Sequence, residues 1–473
     1  MSTGSAVRAA SPGAAADRVV PGAWYTLAVI LLIGLYAFID RQVLTLAGPS
    51  ILTDLSLSDS EFGLVQGLAF ALFSVLAVYP IAWAADRFDE RLVLSVCVII
   101  WSAGTALCGL ATSFSTLFLA VIAIAAGEAA ITPISYAIIP KLFRGEKRQL
   151  ANSIYYIFSF IGVAIGLALG GAIIGMIDGF RDSLPVGLQS LESWRIAFFI
   201  AAAPMPVFLV LLATMSTRKR EEMTVSDLSP QAGDKESLVA FVMSARGFFL
   251  RLFGGLGFYM LAFAGYLVWL PVVTARLYGT TPEENGLAMG IASGSGMLLG
   301  VGLGVFFTPR LVKSRGGAGA LRTCWLALAL GTPIIPMFAL VDNSVSVFVA
   351  FGLLMIPGTL VGSVVPTIIQ DVAPSSLRTR MFAVFSITAG LLSGSAPTLI
   401  GVISDTLSEE RAILVALVAV SFPAWIAATL MLRSAEGGFG AVVEQIALQG
   451  AEPVTAGMDA APASSTRLTK GKL

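Results

Sequence analysis

Twelve apolar runs, each long enough to cross a lipid bilayer, alternate with short polar segments along this chain. Their approximate limits are 24–48, 62–84, 92–111, 116–140, 150–177, 195–214, 247–274, 286–308, 321–340, 346–369, 381–404 and 411–432. About 20 apolar residues span the hydrocarbon as a helix. Hydrocarbon offers no partner to a backbone N–H or C=O, so a spanning segment satisfies them within a helix or a closed barrel. The two-residue alternation of barrel strands is not visible here. The expectation is an all-α polytopic membrane protein with twelve transmembrane helices. Composition agrees, since 12% of the residues are charged against about 25% in a soluble domain.

Lys and Arg concentrate in loops that remain cytoplasmic. The even-numbered loops are basic: Arg87 and Arg91; Lys141, Arg144, Lys147 and Arg148; Arg218, Lys219, Arg220 and Lys235; Arg310, Lys313 and Arg315; Arg378. The odd-numbered loops are acidic or neutral, with Arg181, Arg276 and Arg411 as the basic exceptions. Both termini are therefore expected in the cytoplasm, which needs an even number of spans. The expected location is a plasma membrane, the inner membrane of a bacterium. Basic stretches such as "KLFRGEKR" fall in these loops, so anionic lipid is the expected contact and no nucleic acid is.

Cys97, Cys108 and Cys324 all lie in apolar runs and read as small buried hydrophobes. The chain has no histidine, which removes imidazole metal sites and histidine proton relays. No cofactor or metal is expected. Residues 1–22 are small and polar without an apolar core and read as an N-terminal tail. The expected organisation then runs through a six-helix bundle (23–216), a cytoplasmic linker (217–244), a second six-helix bundle (245–433) and a C-terminal tail (434–473). A monomer is expected.

The two halves echo each other. "IIPKLFRGEKRQLANS" follows the fourth run and "IIQDVAPSSLRTRMFAV" the tenth; "AWAADRFDER" follows the second and "GVFFTPRLVKSR" the eighth. Duplicated six-helix halves are the signature of secondary transporters with a site near the midplane. The loop "AADRFDER", with Asp86, Arg87 and Arg91, resembles the G-x-x-x-D-R-x-x-R-R signature of the Major Facilitator Superfamily; Ala82 and Glu90 depart from it. "GVAIGLALGG" in the fifth run is similar to that superfamily's glycine-rich motif, and glycines four apart let helix backbones approach. "IDRQVL", "AAGEAA", "SWRIAF" and "WLPVVTARLYG" together resemble the Spinster family, over about residues 24 to 432. The resemblance implies a pseudo-symmetric 6+6 Major Facilitator fold and an amphipathic substrate, lysolipid- or sphingolipid-like.

In "LYAFIDRQVL", Asp40 and Arg41 are the only charges between Arg18 and Asp54. Asp40 stands roughly 24 Å along its helix from Trp24, and Glu128 roughly 18 Å along the fourth run, at about 1.5 Å per residue. Each such charge costs at least about 2.5–3.5 kcal/mol inside the bilayer. A static ion-pair cluster gluing the first and fourth helices is one reading, but buried ion pairs often add no net stability. Neighbours on a helix diverge by about 100°, so one of Asp40 and Arg41 faces the cavity while the other packs against a neighbouring helix or Glu128. Burial and a nearby arginine act on a carboxylate in opposite senses, so movement between dry and wet faces would load and unload a proton. Asp40 and Glu128 are the expected proton-coupling pair, with Arg41 meeting an anionic headgroup or an acid. The Spinster resemblance implies the same roles, with one departure. The family's arginine seven residues before the glutamate is Val121 here.

Gln66 and Tyr259 are further expected substrate contacts; for Asp86, Arg87 and Arg91 the Major Facilitator resemblance implies a cytoplasmic gate, with simple positive-inside anchoring as the alternative. The function expected is proton-coupled alternating access for an amphipathic lipid-like substrate, with membrane lipids and protons as the other partners. A facilitator of small organic anions or drugs is the alternative. An enzyme would need a nucleophile–base or metal constellation, and none is visible; a receptor would carry a folded output domain.

Overall fold

The computed structural model describes residues 20–85, 87–129, 131–215, 237–374, 377–407 and 409–451. Twelve helices among them are long and apolar enough to cross a membrane. The first six are α1 (Ala23–Leu46), α2 (Asp59–Ala85), α3 (Glu90–Gly109), α4 (Phe114–Leu142), α5 (Gly145–Gly179) and α6 (Ser193–Thr214). The second six are α7 (Arg246–Tyr278), α8 (Pro282–Arg315), α9 (Ala318–Leu340), α10 (Ser344–Asp371), α11 (Arg378–Thr406) and α12 (Ala412–Ala451). Every predicted run has its helix, and no strand occurs among the described residues.

Four of the helices that begin on the acidic-loop side, α2, α4, α8 and α10, carry side-chain caps, and α6 does not. Ser58 and Glu61 close a capping box at α2, and Thr281 with Glu284 does so at α8. Each satisfies two backbone donors that a helix start leaves open. Within α2, Leu64–Ala69 winds as a π-helix, the kind of local rewinding that re-aims side chains at functional sites. Gln66 lies in it.

The halves meet through α2 with α11 and α5 with α8. A Cβ on Gly63 or Gly67 would stand 2.3 Å from the carbonyl oxygen of Pro397 or Gly394 on α11. One on Gly286 of α8 would stand 2.4 Å from the Leu167 carbonyl of α5. Small residues are what let these backbones touch.

Two predicted boundaries are corrected. Helix α12 continues past 433 to Ala451, where the sequence reading placed a tail. Its extension buries Ala435, Phe439 and Val442, and Glu436 accepts a 2.7 Å hydrogen bond from Trp325 Nε1 and pairs with Arg322 at 3.1 Å. A helix does not stop where the hydrocarbon does when its apolar stripe still has protein to cover. The predicted linker ends in a short helix, Leu238–Ser244, while 216–236 lie outside the described residues. The outer parts of both predicted tails, 1–19 and 452–473, lie outside them as well.

Candidate functional site

Helix α1 splits its two charges as their angular separation requires. Asp40 is 2% exposed and turns to α3, accepting hydrogen bonds from Trp101 Nε1 at 2.6 Å and Thr105 Oγ1 at 2.7 Å. Its other oxygen has no hydrogen-bond partner. Arg41 turns the opposite way, its guanidinium carbon 3.8 Å from the Phe70 ring centroid on α2, a cation–π contact. Its side chain is exposed to the space between the halves. The sequence reading left open which charge would face the cavity, and Arg41 is the one.

Glu128 closes the first segment of α4 and shares with Arg41 a side chamber of about 200 Å³, which Phe38, Ser74 and Tyr155 also line. Its Oε1 is buried without a hydrogen-bond partner. Val121 is fully buried and does not line that chamber. The larger cavity, about 460 Å³, lies between the halves. Its first-half wall includes Arg41, Gln42, Thr45, Gln66 and Ser74; its second-half wall includes Ala264, Leu267, Val268 and Pro397. The first-half wall sets one cation and four uncharged polar side chains among apolar ones such as Phe38, Phe70, Val75 and Val78, and the second-half wall is predominantly apolar with Ser386 and Ser393.

Of the expected substrate contacts, Arg41 and Gln66 stand on this cavity. Tyr259 does not. It is 3% exposed, and its hydroxyl donates to the Gly358 carbonyl on α10 at 2.6 Å. A tyrosine in a buried helix face must satisfy its hydroxyl somewhere, and a backbone carbonyl opposite does so. Gln42 and Thr45 were missed because they follow Asp40 and Arg41, whose charges account for the polarity of that stretch, whereas Gln66 is the one amide in its run.

The acidic-loop end is sealed. Asp59, at the start of α2, receives both terminal nitrogens of Arg276 from α7, at 2.7 and 3.0 Å, and the Ser404 hydroxyl at 2.7 Å. Asp405 at the end of α11 accepts the backbone N–H groups of Asp59 and Ser60 at 3.0 and 2.9 Å. A carboxylate at a helix N-terminus gains both bonds and the helix dipole. The three arginines that broke the charge pattern on this side are all paired with aspartates: Arg181 with Asp178, Arg276 with Asp59 and Arg411 with Asp342. Pairing explains how they sit there.

At the basic-loop end the described contacts stay within one half. Arg87 stacks on Trp83 of its own helix. Arg91 pairs with Asp89 at 3.1 Å and donates to the Met215 carbonyl at 3.0 Å, and Lys141 pairs with Glu90. Hydrogen bonding to Arg91 holds the Asp89 carboxyl below its ordinary range. Asp86, the third expected gate residue, lies outside the described residues.

The family model of the Major Facilitator Superfamily matches residues 30–397. An MFS-type efflux pump of Mycolicibacterium smegmatis is 26% identical over 414 residues, covering 86% of this chain and 90% of that protein. Protein spinster of Drosophila melanogaster is 25% identical over 425 residues, covering 84% of this chain and 66% of that one. A bacterial homolog to the human lysosomal transporter Spinster, solved in an inward-facing and unoccupied conformation, superposes with a TM-score of 0.72 at 24% identity, covering 90% of this chain and 98% of that chain.

Proposed function

This chain belongs to the Major Facilitator Superfamily, and from that premise we propose that it moves an amphipathic, lipid-like molecule across the membrane by proton-coupled alternating access. The observation that carries the proposal is a largely apolar cavity with a single cation on its lining. Arg41 offers a cation on one wall, while Ala264, Leu267 and Val268 offer hydrocarbon contact on the other. A phosphate-bearing lysolipid or sphingolipid-like molecule joins an anionic phosphate to an apolar chain in the same way. The sealed acidic-loop end and the intra-half contacts of Arg87 and Arg91 support a cavity open toward the basic-loop side. By the distribution of Lys and Arg that side is cytoplasmic. In this reading Asp40 and Glu128 carry the coupled proton. Each has an oxygen without a hydrogen-bond partner, and each costs several kcal/mol to keep charged at this depth.

Transport into proteoliposomes, across a panel of lysolipids and small organic anions with and without a pH gradient, tests the proposal. The expected result is lysolipid flux that the gradient accelerates. Asp40→Asn and Glu128→Gln should remove the acceleration while retaining downhill flux. Full pH-driven transport by Asp40→Asn would refute the coupling role. Flux of organic anions alone would replace the lipid by a small anion held at Arg41.

A further inference from the structure

Arg41 is followed on α1 by a residue that the transport reading leaves without a task. Gln42 is 2% exposed, and Gln66, in the π-helical stretch of α2, is 6% exposed. Both line the cavity between the halves. Gln42 Oε1 and Gln66 Nε2 are buried and have no hydrogen-bond partner. Gly166 on α5 makes room for the first, since a Cβ there would stand 3.0 Å from Gln42 Cγ.

A buried amide with an unmet bond destabilises a fold, whereas an apolar side chain of the same shape does not. Packing therefore does not account for two such amides on one cavity. Each amide can turn about its last bond, so between them the pair can present an acceptor and a donor to the cavity. A hydroxyl carries both counterparts, donating its hydrogen to the first and accepting from the second. Arg41, on the same wall, supplies the charge for an anion beside it.

We infer that Gln42 and Gln66 form a hydroxyl-reading subsite next to Arg41, which selects amphiphiles carrying a free hydroxyl beside their anionic group. The inference rests on the amphiphile reading above and adds to it the chemistry of the head. A ligand lacking the hydroxyl leaves the two amides unmet inside a filled, dry cavity, and discrimination arises from that difference.

Equilibrium binding of two probes to the purified full-length chain tests this: 1-oleoylglycerol 3-phosphate, and the analogue lacking only its 2-hydroxyl. The unmodified protein should bind the hydroxylated probe at least about tenfold more tightly. Gln42→Leu and Gln66→Leu should each lose part of the preference, and the double variant should bind both probes equally, near the affinity for the deoxy probe. Gln42→Glu keeps an acceptor oxygen at the position and should retain part of the preference. Arg41→Gln should weaken both probes by the same factor and leave their ratio intact. The melting temperature of Gln42→Leu should equal or exceed that of the unmodified protein, which an amide with a structural role would not allow.

Equal affinity of the two probes for the unmodified protein would overturn the subsite and leave the amphiphile reading standing; it is also the result expected if the amides hold water. A preference that survives both leucine substitutions would overturn it as well. Binding of neither probe would overturn the lipid reading, and the subsite with it.

Discussion

The two ends of the interface between the halves are built from the same residue types and behave in opposite ways. At the acidic-loop end, arginine and aspartate reach across: Arg276 of α7 holds Asp59 of α2, and Asp405 of α11 caps α2. At the basic-loop end, Arg91 finds Asp89 and the Met215 carbonyl within its own half. Charge content does not distinguish the two ends; what differs, among the described residues, is which half supplies the partner. Alternating access, as proposed, requires the two ends to exchange these arrangements.

The largest change should come from the backbone contact that closes the acidic-loop end. Gly67→Leu inserts a branched side chain where even a Cβ would meet the Gly394 carbonyl at 2.3 Å. Overpacking of this kind costs about 1–3 kcal/mol and occasionally more, and here the obstacle is backbone that cannot rotate aside. The sealed population should fall roughly a hundredfold. The native cysteines Cys97, Cys108 and Cys324 are all buried, so spin labels can be placed at Thr53→Cys and Thr406→Cys and the distance between halves measured by pulsed electron resonance. An unchanged short distance in Gly67→Leu would show that α2 and α11 do not need this contact.

Arg276→Ala should act in the same direction with a smaller effect. Removing one partner of a fully buried pair costs about 3–5 kcal/mol. Asp59 has only 9% of its side chain exposed but Arg276 has 43%, and water screens the exposed side. Roughly tenfold loss of the sealed population is expected, about 1–2 kcal/mol. The same labelled pair reports it.

The sequence made the spans legible because hydrocarbon imposes one rule on every segment, and each predicted run became a helix. It hid the helix ends, since hydropathy marks the edge of the hydrocarbon and not the last hydrogen-bonded turn; α8 reaches Arg315 and α12 reaches Ala451. Of the site, Arg41 stood out because a charge in an apolar run has few explanations. The partners that turn Asp40 toward α3, Trp101 and Thr105, did not, being ordinary residues of a membrane helix. Gln42 was silent because the two charges before it already accounted for the polarity of that stretch. The clamp was hidden differently. Asp59 and Asp405 belong to loops that read only as acidic, and the fold alone brings them to Arg276 from positions hundreds of residues apart. Arg276 was visible as an exception to the charge pattern, and that exception, followed up, would have asked for an acidic partner.

The smallest effect expected has the opposite sign, and it is the one that separates a gate from an anchor at the basic-loop end. In the state described, Arg91 pairs inside its own half, so Arg91→Ala removes nothing that holds the two halves together here. If Arg91 secures the basic-loop end only when that end closes, its loss disfavours the other state and raises the population of this one. An exposed ion pair of this kind contributes about 0–1 kcal/mol, so the shift should be no more than about fivefold. It should appear as a longer mean distance between labels at the basic-loop ends of α2 and α11, with the acidic-loop pair at Thr53 and Thr406 becoming shorter on average. A residue that merely anchors the loop at the membrane surface would leave both distances where they were. A shift in the same sense as Arg276→Ala would place Arg91 in the contacts that keep the acidic-loop end sealed, and the proposed division of labour between the two ends would fail.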